Sequence, residues 1–351
     1  MSAATPTRQG QGRYLAAAQR TLLRPRGVAI LVLAVVALAF PLVAGNDSYT
    51  MSIATEALIY GLAVVSLNLL VGFGGQISLG HAGLLAVGGY TAGVLATRVS
   101  GFPVPIEILA AGAVTALVGF VLGLPTGRLR GHYLAILTLG FGLAVPQIAL
   151  NWSSLTQGRT GLVVPPPRIG NTEFASPGDL YYFTLVVLVL ALLAIFSILA
   201  SSTGRAFSAV RDSEAGAAAM GINVNRTKVV LFTTSAFFTG VAGDLYAHLQ
   251  GIVSPDSFPL SLSLFFLAAV VVGGLASVSG SLAAAALLAV VEAKTSGTSG
   301  WEPTIIGATV VAVLLITPGG IADLPRRVAG RIVAWRRGRR GRPPAPADQK
   351  G

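Results

Sequence analysis

SLSLFFLAAVVVGGLASVSGSLAAAALLAVVE, residues 261–292, is apolar throughout but too long for one membrane crossing, since a bilayer core is spanned by about 20 residues of helix. Its middle holds Gly273, Gly274, Ser277, Ser279 and Gly280, and this density of small breakers predicts two short helices joined by a tight turn. The rest of the chain agrees with a lipid setting. Apolar residues make up 53% and charged residues 11%, against about 25% charged in soluble domains, and the mean hydropathy is +0.75. Further apolar runs lie at about 28–45, 51–71, 82–98, 104–124, 132–150, 181–200, 229–248 and 303–317. With the divided run they predict an all-α integral membrane protein of about ten passes.

Charge placement sets an orientation. With a cytoplasmic N-terminus, the inside segments are 1–27, 72–81, 125–131, 201–228, 275–280 and 318–351. They hold twenty of the 24 lysines and arginines, leaving Arg98, Arg159, Arg168 and Lys294 elsewhere. The positive-inside rule then places both termini in the cytoplasm. Three parts follow: a cytoplasmic N-terminal segment 1–27 that reads as the flank of a signal anchor, a membrane domain 28–325, and a basic, disordered cytoplasmic tail 326–351. The arginines of the tail serve topology and attraction to anionic lipid, with no nucleic acid implied. The chain has no cysteine, which excludes disulfides and thiolate chemistry.

One inside segment stands out as a polar island, SSTGRAFSAVRDSEAGAAAMGINVNRTK at 201–228. A short helix is predicted over 213–220: Asp212 can accept from the free first-turn amides, Glu214 suits the positive end of the macrodipole, and Gly221 suits a left-handed closing residue. At about eight residues it is shorter than the ~12 that hold a helix in water alone, so it needs a surface to rest on. A plain connecting loop is the competing reading.

The run 66–90, SLNLLVGFGGQISLGHAGLLAVGGY, carries Asn68, Gln76, Ser78 and His81 among its glycines, a poor pattern for a helix facing lipid. Irregular backbone at this depth needs protein or water around it. Paired glycine-broken segments, here 71–88 and 272–286, point to a substrate path in transporters, with Gly74, Gly75, Gly273 and Gly274 as hinge or gate glycines; close helix packing through small residues is the alternative. The ionisable residues within or beside spans are Glu56, His81, Asp244, His248 and Glu292, and interfacial placement accounts for most of them. No GxxxxGK[ST], HExxH or GxSxG signature occurs, and the spacing of the histidines at 81, 132 and 248 assigns no metal site. No cofactor is expected in this chain, so energy for uphill transport would enter through a separate protein.

The runs LNLLVGFGGQISLGHAGLLAVGGYTAGVL (67–95), LPTGRLRGHYLAILTLGFG (124–142), NWSSLTQGRTGL (151–162), GRAFSAVRDSEAGAAAMGINVNRTKVVLFTTSAFFTGVAGDLYAH (204–248), VVVGGLASVSGSL (270–282) and TPGGIADL (317–324) resemble the larger, M-type permease of branched-chain amino-acid ABC importers, over nearly the whole membrane region. The resemblance implies a bacterial plasma (inner) membrane complex of this permease, a shorter H-type second permease forming a heterodimer, two ATP-binding subunits that hydrolyse ATP, and an external substrate-binding protein. It implies that Arg205, Arg211, Asp212, Glu214 and Gly221 couple to the ATPase, although Gly216 replaces the second alanine of the E-A-A-x-x-x-G pattern and Glu214 and Gly221 stand seven apart. Alternating access, path-lining residues Asn68, Gln76, Ser78 and His81, and docking of the binding protein on the external loop 151–180 complete the expectation. Similar permeases import urea, short amides or aromatic acids; a secondary carrier or channel would not need the docking helix.

Overall fold

A computed structural model describes residues 37–41, 47–99, 103–127, 132–169, 172–295, 301–316 and 320–321. The first expected span, 28–45, is described only at 37–41, which is helical. The segments 1–27 and 326–351 lie outside the described residues.

The helices are α1 (Ser48–Asn68), prolonged by a π-helical turn Leu69–Phe73, α2 (His81–Arg98), α3 (Val104–Gly123), α4 (His132–Asn151), α5 (Pro177–Ala200), α6 (Ser202–Asp212), α7 (Glu214–Ala219), α8 (Val224–Gln250), α9 (Leu260–Gly273), α10 (Val278–Thr295) and α11 (Glu302–Ile316). Among the described residues seven helices are long and apolar enough to cross a membrane: α1 with its π turn, α3, α4, α5, α8, α9 and α10. The expected passes at 82–98 and 303–317 fall on α2 and α11, which are not among those seven. α11 has only a short apolar stretch, Thr304–Leu315, and α2 is a glycine-bearing helix packed inside the bundle against α8, α3 and α4.

Burial sorts the helices into two sets. The spans of α1 and α8 are each 72% buried, against 22% for α4 and 33% for α3, so α1, α2 and α8 form the interior. α3, α4 and α5 present Leu109, Leu117, Val121, Ile136 and Leu190 outward. Lipid tails are as apolar as leucine, so helices here associate through close backbone approach at small residues. At the α2/α8 contact a Cβ on Gly88 would lie 2.3 Å from the carbonyl oxygen of Gly240. Neither helix could hold its position with alanine there.

Local signals fix the ends. Asp47 caps α1 by accepting from Thr50 N; Ser176 caps α5 by accepting from Asp179 N, with Pro177 in the first turn; Asn223 caps α8, which closes on Gly251 at φ +69°. The apolar run 261–292 is divided as its glycines require, α9 ending at Gly273 and α10 beginning at Val278. Between α4 and α5, the stretch 151–180 departs from an all-helical reading: it holds a helical turn, Ser153–Thr156, a 3-10 turn, Gly158–Thr160, and two two-residue antiparallel pairings, Leu162–Val163 with Ile252–Val253 and Arg168–Ile169 with Thr172–Glu173. Val164 N donates to Gly251 O at 2.8 Å, tying this loop to the far end of α8.

Candidate functional site

The polar island folds as two helices at one end of the bundle. α6 is amphipathic: Gly204, Phe207 and Val210 are buried at a spacing of three, Arg205 and Asp212 are exposed on the other side, and Arg211 stands partly exposed beside the buried face. It was expected that Asp212 would open the short helix. The structure instead keeps Asp212 as the last residue of α6 and turns Ser213 extended (φ −161°, ψ 113°), so that Ser213 Oγ accepts from Gly216 N at 3.0 Å and caps α7. A residue still in helical conformation cannot serve as the next helix's cap, and Asp212 Oδ1 accepts instead from Arg211 at 2.9 and 3.0 Å. Gly221 closes α7 at φ +82°. The amides of Gly221 and Ile222 donate to Ala218 O and Ala217 O, each at 3.0 Å, which is the Schellman closure.

α7 buries only Ala217. Ala215, Gly216, Ala218, Ala219 and Met220 face outward, Met220 with 83% of its surface exposed. Its position is held by Glu214 Oε1, which accepts from Lys228 Nζ of α8 at 2.6 Å; the lysine ammonium is buried and the carboxylate partly exposed. Arg205 donates to the carbonyl of Ala200, the last residue of α5.

From α6 a chain of contacts runs inward. Arg211 Nη1 donates to Gly72 O in the π turn at 2.9 Å. One turn earlier, Asn68 reaches the second break: its Oδ1 accepts from Ala276 N at 3.0 Å, and its Nδ2 lies 2.6 Å from Ser281 Oγ and 3.1 Å from Ser277 O. The two breaks, some two hundred residues apart in sequence, are thus joined. A Cβ on Gly72 would sit 1.9 Å from Asn68 Oδ1 and 2.3 Å from Ala276 N, so this junction tolerates only glycine. Of the four expected hinge glycines, Gly75 and Gly274 have φ +67° and +101°. A Cβ on Gly74 would collide with Leu231, and one on Gly273 with the backbone of Gly280.

Behind the first break lies a closed polar core. Ser235 Oγ donates to Ser66 O at 2.6 Å. Its single proton is thereby used, so His81 Nε2, 3.0 Å away, donates to Ser235 Oγ, and His81 Nδ1 accepts from Ser78 Oγ at 3.1 Å. Ser66 Oγ also meets Thr239 Oγ1 at 2.7 Å, and Ser263 Oγ of α9 accepts from Ala82 N at 2.9 Å at the start of α2. Of the four expected path residues, Asn68, Ser78 and His81 are therefore occupied in internal hydrogen bonds. Gln76 is buried with no hydrogen-bond partner for either side-chain atom among the described residues.

Sequence reasoning missed α6 as a helix, although Phe207 and Val210 carry its spacing. Lys228, Ser235 and Ser281 were missed because their partners are distant in the chain. Asp244 and His248, expected near an interface, are 0% and 6% exposed.

Residues 49–318 match the family described as branched-chain amino acid transport system / permease component. The chain is 36% identical over 324 residues to the high-affinity branched-chain amino acid transport system permease protein LivM of Escherichia coli K12, covering 85% of this chain and 75% of that protein. It is 35% identical over 321 residues, with the same coverage, to LivM of Salmonella typhimurium. Against the permease protein LivH of the E. coli system it is 26% identical over 284 residues, covering 76% of this chain and 92% of that protein.

Proposed function

The chain belongs to the branched-chain amino acid transport permease family, and from that premise we propose that it is the M-type permease of an importer that carries leucine, isoleucine and valine across the bacterial plasma membrane. Its nearest partner is a second, H-type permease forming a heterodimer. Two ATP-binding subunits supply the energy and an external binding protein delivers the substrate, so this chain needs no cofactor to drive transport. It spans the membrane in about ten passes with both termini cytoplasmic, which puts α6 and α7 inside, where ATP is, and the loop 151–180 outside for the binding protein.

The observation that carries the coupling role is the unbroken series of contacts from α7 to the two breaks. α7 offers a small-residue face for a groove on the ATPase, while Arg211 holds Gly72 O and Asn68 holds the turn at Gly274–Ser277. Movement of α6 and α7 with the docked ATPase pulls on the π turn through Arg211, and the π turn is fixed to the α9/α10 turn through Asn68. The glycines at 72–75 and 273–274 absorb the backbone change, opening the path to alternate sides. Asn68, Ser78 and His81 position the broken segments, and Gln76, whose side-chain amide has no hydrogen-bond partner among the described residues, faces the path.

The test is uptake of labelled leucine by cells carrying the complete importer, with residues 212–221 replaced by a glycine–serine linker of equal length. ATP-dependent uptake is expected to fall to background while the protein still inserts and pairs with its partner. Retained uptake would identify a secondary carrier or channel. Competition by urea, a short amide or an aromatic acid, with none by isoleucine, would reassign the substrate within the family.

A further inference from the structure

At the end of α8 opposite α7, three side chains with metal-binding atoms converge in a site that no part of the coupling machinery uses. Glu107 stands in the first turn of α3, and Asp244 and His248 lie one turn apart on α8; one ligand atom from each lies within 4.8 Å of the other two. All three residues are buried, the side chains 3%, 0% and 2% exposed.

The ring of His248 fixes the argument. Its Nδ1 lies 2.9 Å from Pro165 O, and a carbonyl oxygen can only accept, so Nδ1 carries a proton. In the neutral ring Nε2 then presents a lone pair. That lone pair faces Glu107 Oε1 at 3.3 Å and Asp244 Oδ2 at 4.0 Å. A proton on Nε2 would let it pair with Glu107 Oε1 at that separation; without one, Glu107 Oε1, both Asp244 oxygens and His248 Nε2 have no hydrogen-bond partner among the described residues. Acceptors turned toward one another without a donor repel, and buried carboxylates without compensation are strongly unfavourable. Protonating the ring would still leave both oxygens of Asp244 without a donor.

We propose that Glu107, Asp244 and His248 bind a single divalent transition-metal ion, of the Zn²⁺ or Mn²⁺ class, that ties the start of α3 to the end of α8. Two carboxylates neutralise a divalent charge, and the imidazole nitrogen selects against Mg²⁺ and Ca²⁺, which take oxygen ligands. The Pro165 carbonyl orients the ring through its other nitrogen, as ligating histidines require. The converging atoms expose almost no surface, which shuts out an organic cation and leaves a bare ion as the ligand. Val164 N on Gly251 O and Pro165 O on His248 bring the 162–165 strand and loop to the same point, so the ion joins three segments.

The experiment uses the full permease purified with its partner subunits, stripped by chelator and titrated with Co²⁺ as a spectroscopic probe. Bound metal is counted by mass spectrometry and its ligand field read in the visible. One equivalent is expected, displaced by Zn²⁺. In His248→Gln and in the near-isosteric Asp244→Asn, affinity should fall about tenfold or more, while His132→Gln, at the exposed start of α4, should bind as wild type. Absence of Co²⁺ binding by the wild-type complex would overturn the proposal and assign the cluster to protons alone, a result that depends on no variant folding. Undiminished binding in correctly assembled His248→Gln protein would overturn it equally.

Discussion

Near its start α8 places Lys228 2.6 Å from Glu214, and near its end it sets Asp244 and His248 opposite Glu107 with four polar atoms unpartnered among the described residues. Both groupings combine acid and base, and in both the α8 members are buried. They differ in what surrounds them. Glu214 is 41% exposed, so its charge stays partly hydrated and one lysine suffices for it. Glu107 and Asp244 are buried and share one histidine whose Nδ1 proton is held by Pro165. The first end is complete within the chain and can be moved as a piece; the second is complete only with a cation supplied from outside.

The strongest way to break the α7 end is Gly72→Ala, because the new methyl meets Asn68 Oδ1 and the backbone of Ala276, neither of which can withdraw without opening the second break. A loss of about 3 kcal/mol in the stability of the purified complex is expected, together with uptake near background. Wild-type melting behaviour would show that the two breaks are not rigidly joined.

Next in size is an asymmetry across the Glu214–Lys228 pair. Glu214→Gln leaves a buried ammonium without a counter-charge and should cost about 1–2 kcal/mol, less than for a fully buried pair because the carboxylate side is wet. Lys228→Met leaves a carboxylate that solvent can reach and keeps the packing of the stem, so it should cost about 0.5 kcal/mol. Thermal melts of the two variants and the double variant decide this, and equal losses would mean that the pair is held by packing alone.

The last effect is the most telling because its sign should reverse between metal-free and metal-saturated protein. Glu107→Gln removes one of two facing carboxylates, so in chelator the melting temperature should rise by a few degrees, corresponding to about 1 kcal/mol. In saturating Zn²⁺ the same variant should melt below wild type, since it has lost a ligand. A decrease in both conditions would place Glu107 in an ordinary satisfied contact and remove the contrast.

Much of the architecture could be read from the chain because lipid imposes it. Apolar length fixed most of the spans, and Gly273 and Gly274 placed the division between α9 and α10. The cap of α7 could not be settled because Asp212 and Ser213 are both good capping residues; the choice depends on where α6 ends, and α6 itself is set by Phe207 and Val210 docking on the bundle. The Arg211–Gly72 and Asn68–Ala276 contacts join residues 139 and 208 positions apart, and a span pattern records how much of a helix is apolar, not which neighbour each face meets. Asp244 and His248 already stood at helical spacing, but Glu107 belongs to a helix that ends a hundred residues earlier. Their convergence is a product of the α3/α8 packing.

α8 runs unbroken through 27 residues, about 40 Å at 1.5 Å per residue, while α1 and the α9/α10 run are interrupted beside it. If α7 docks on an ATPase and the cluster at the other end of this rod binds an ion, as proposed, the two sites are thermodynamically reciprocal. If occupancy at His248 shifts the affinity of α7 for its docking groove by some factor, docking must shift the ion affinity by that same factor. An equilibrium titration at either end therefore reports the coupling strength at the other, without any measurement of transport.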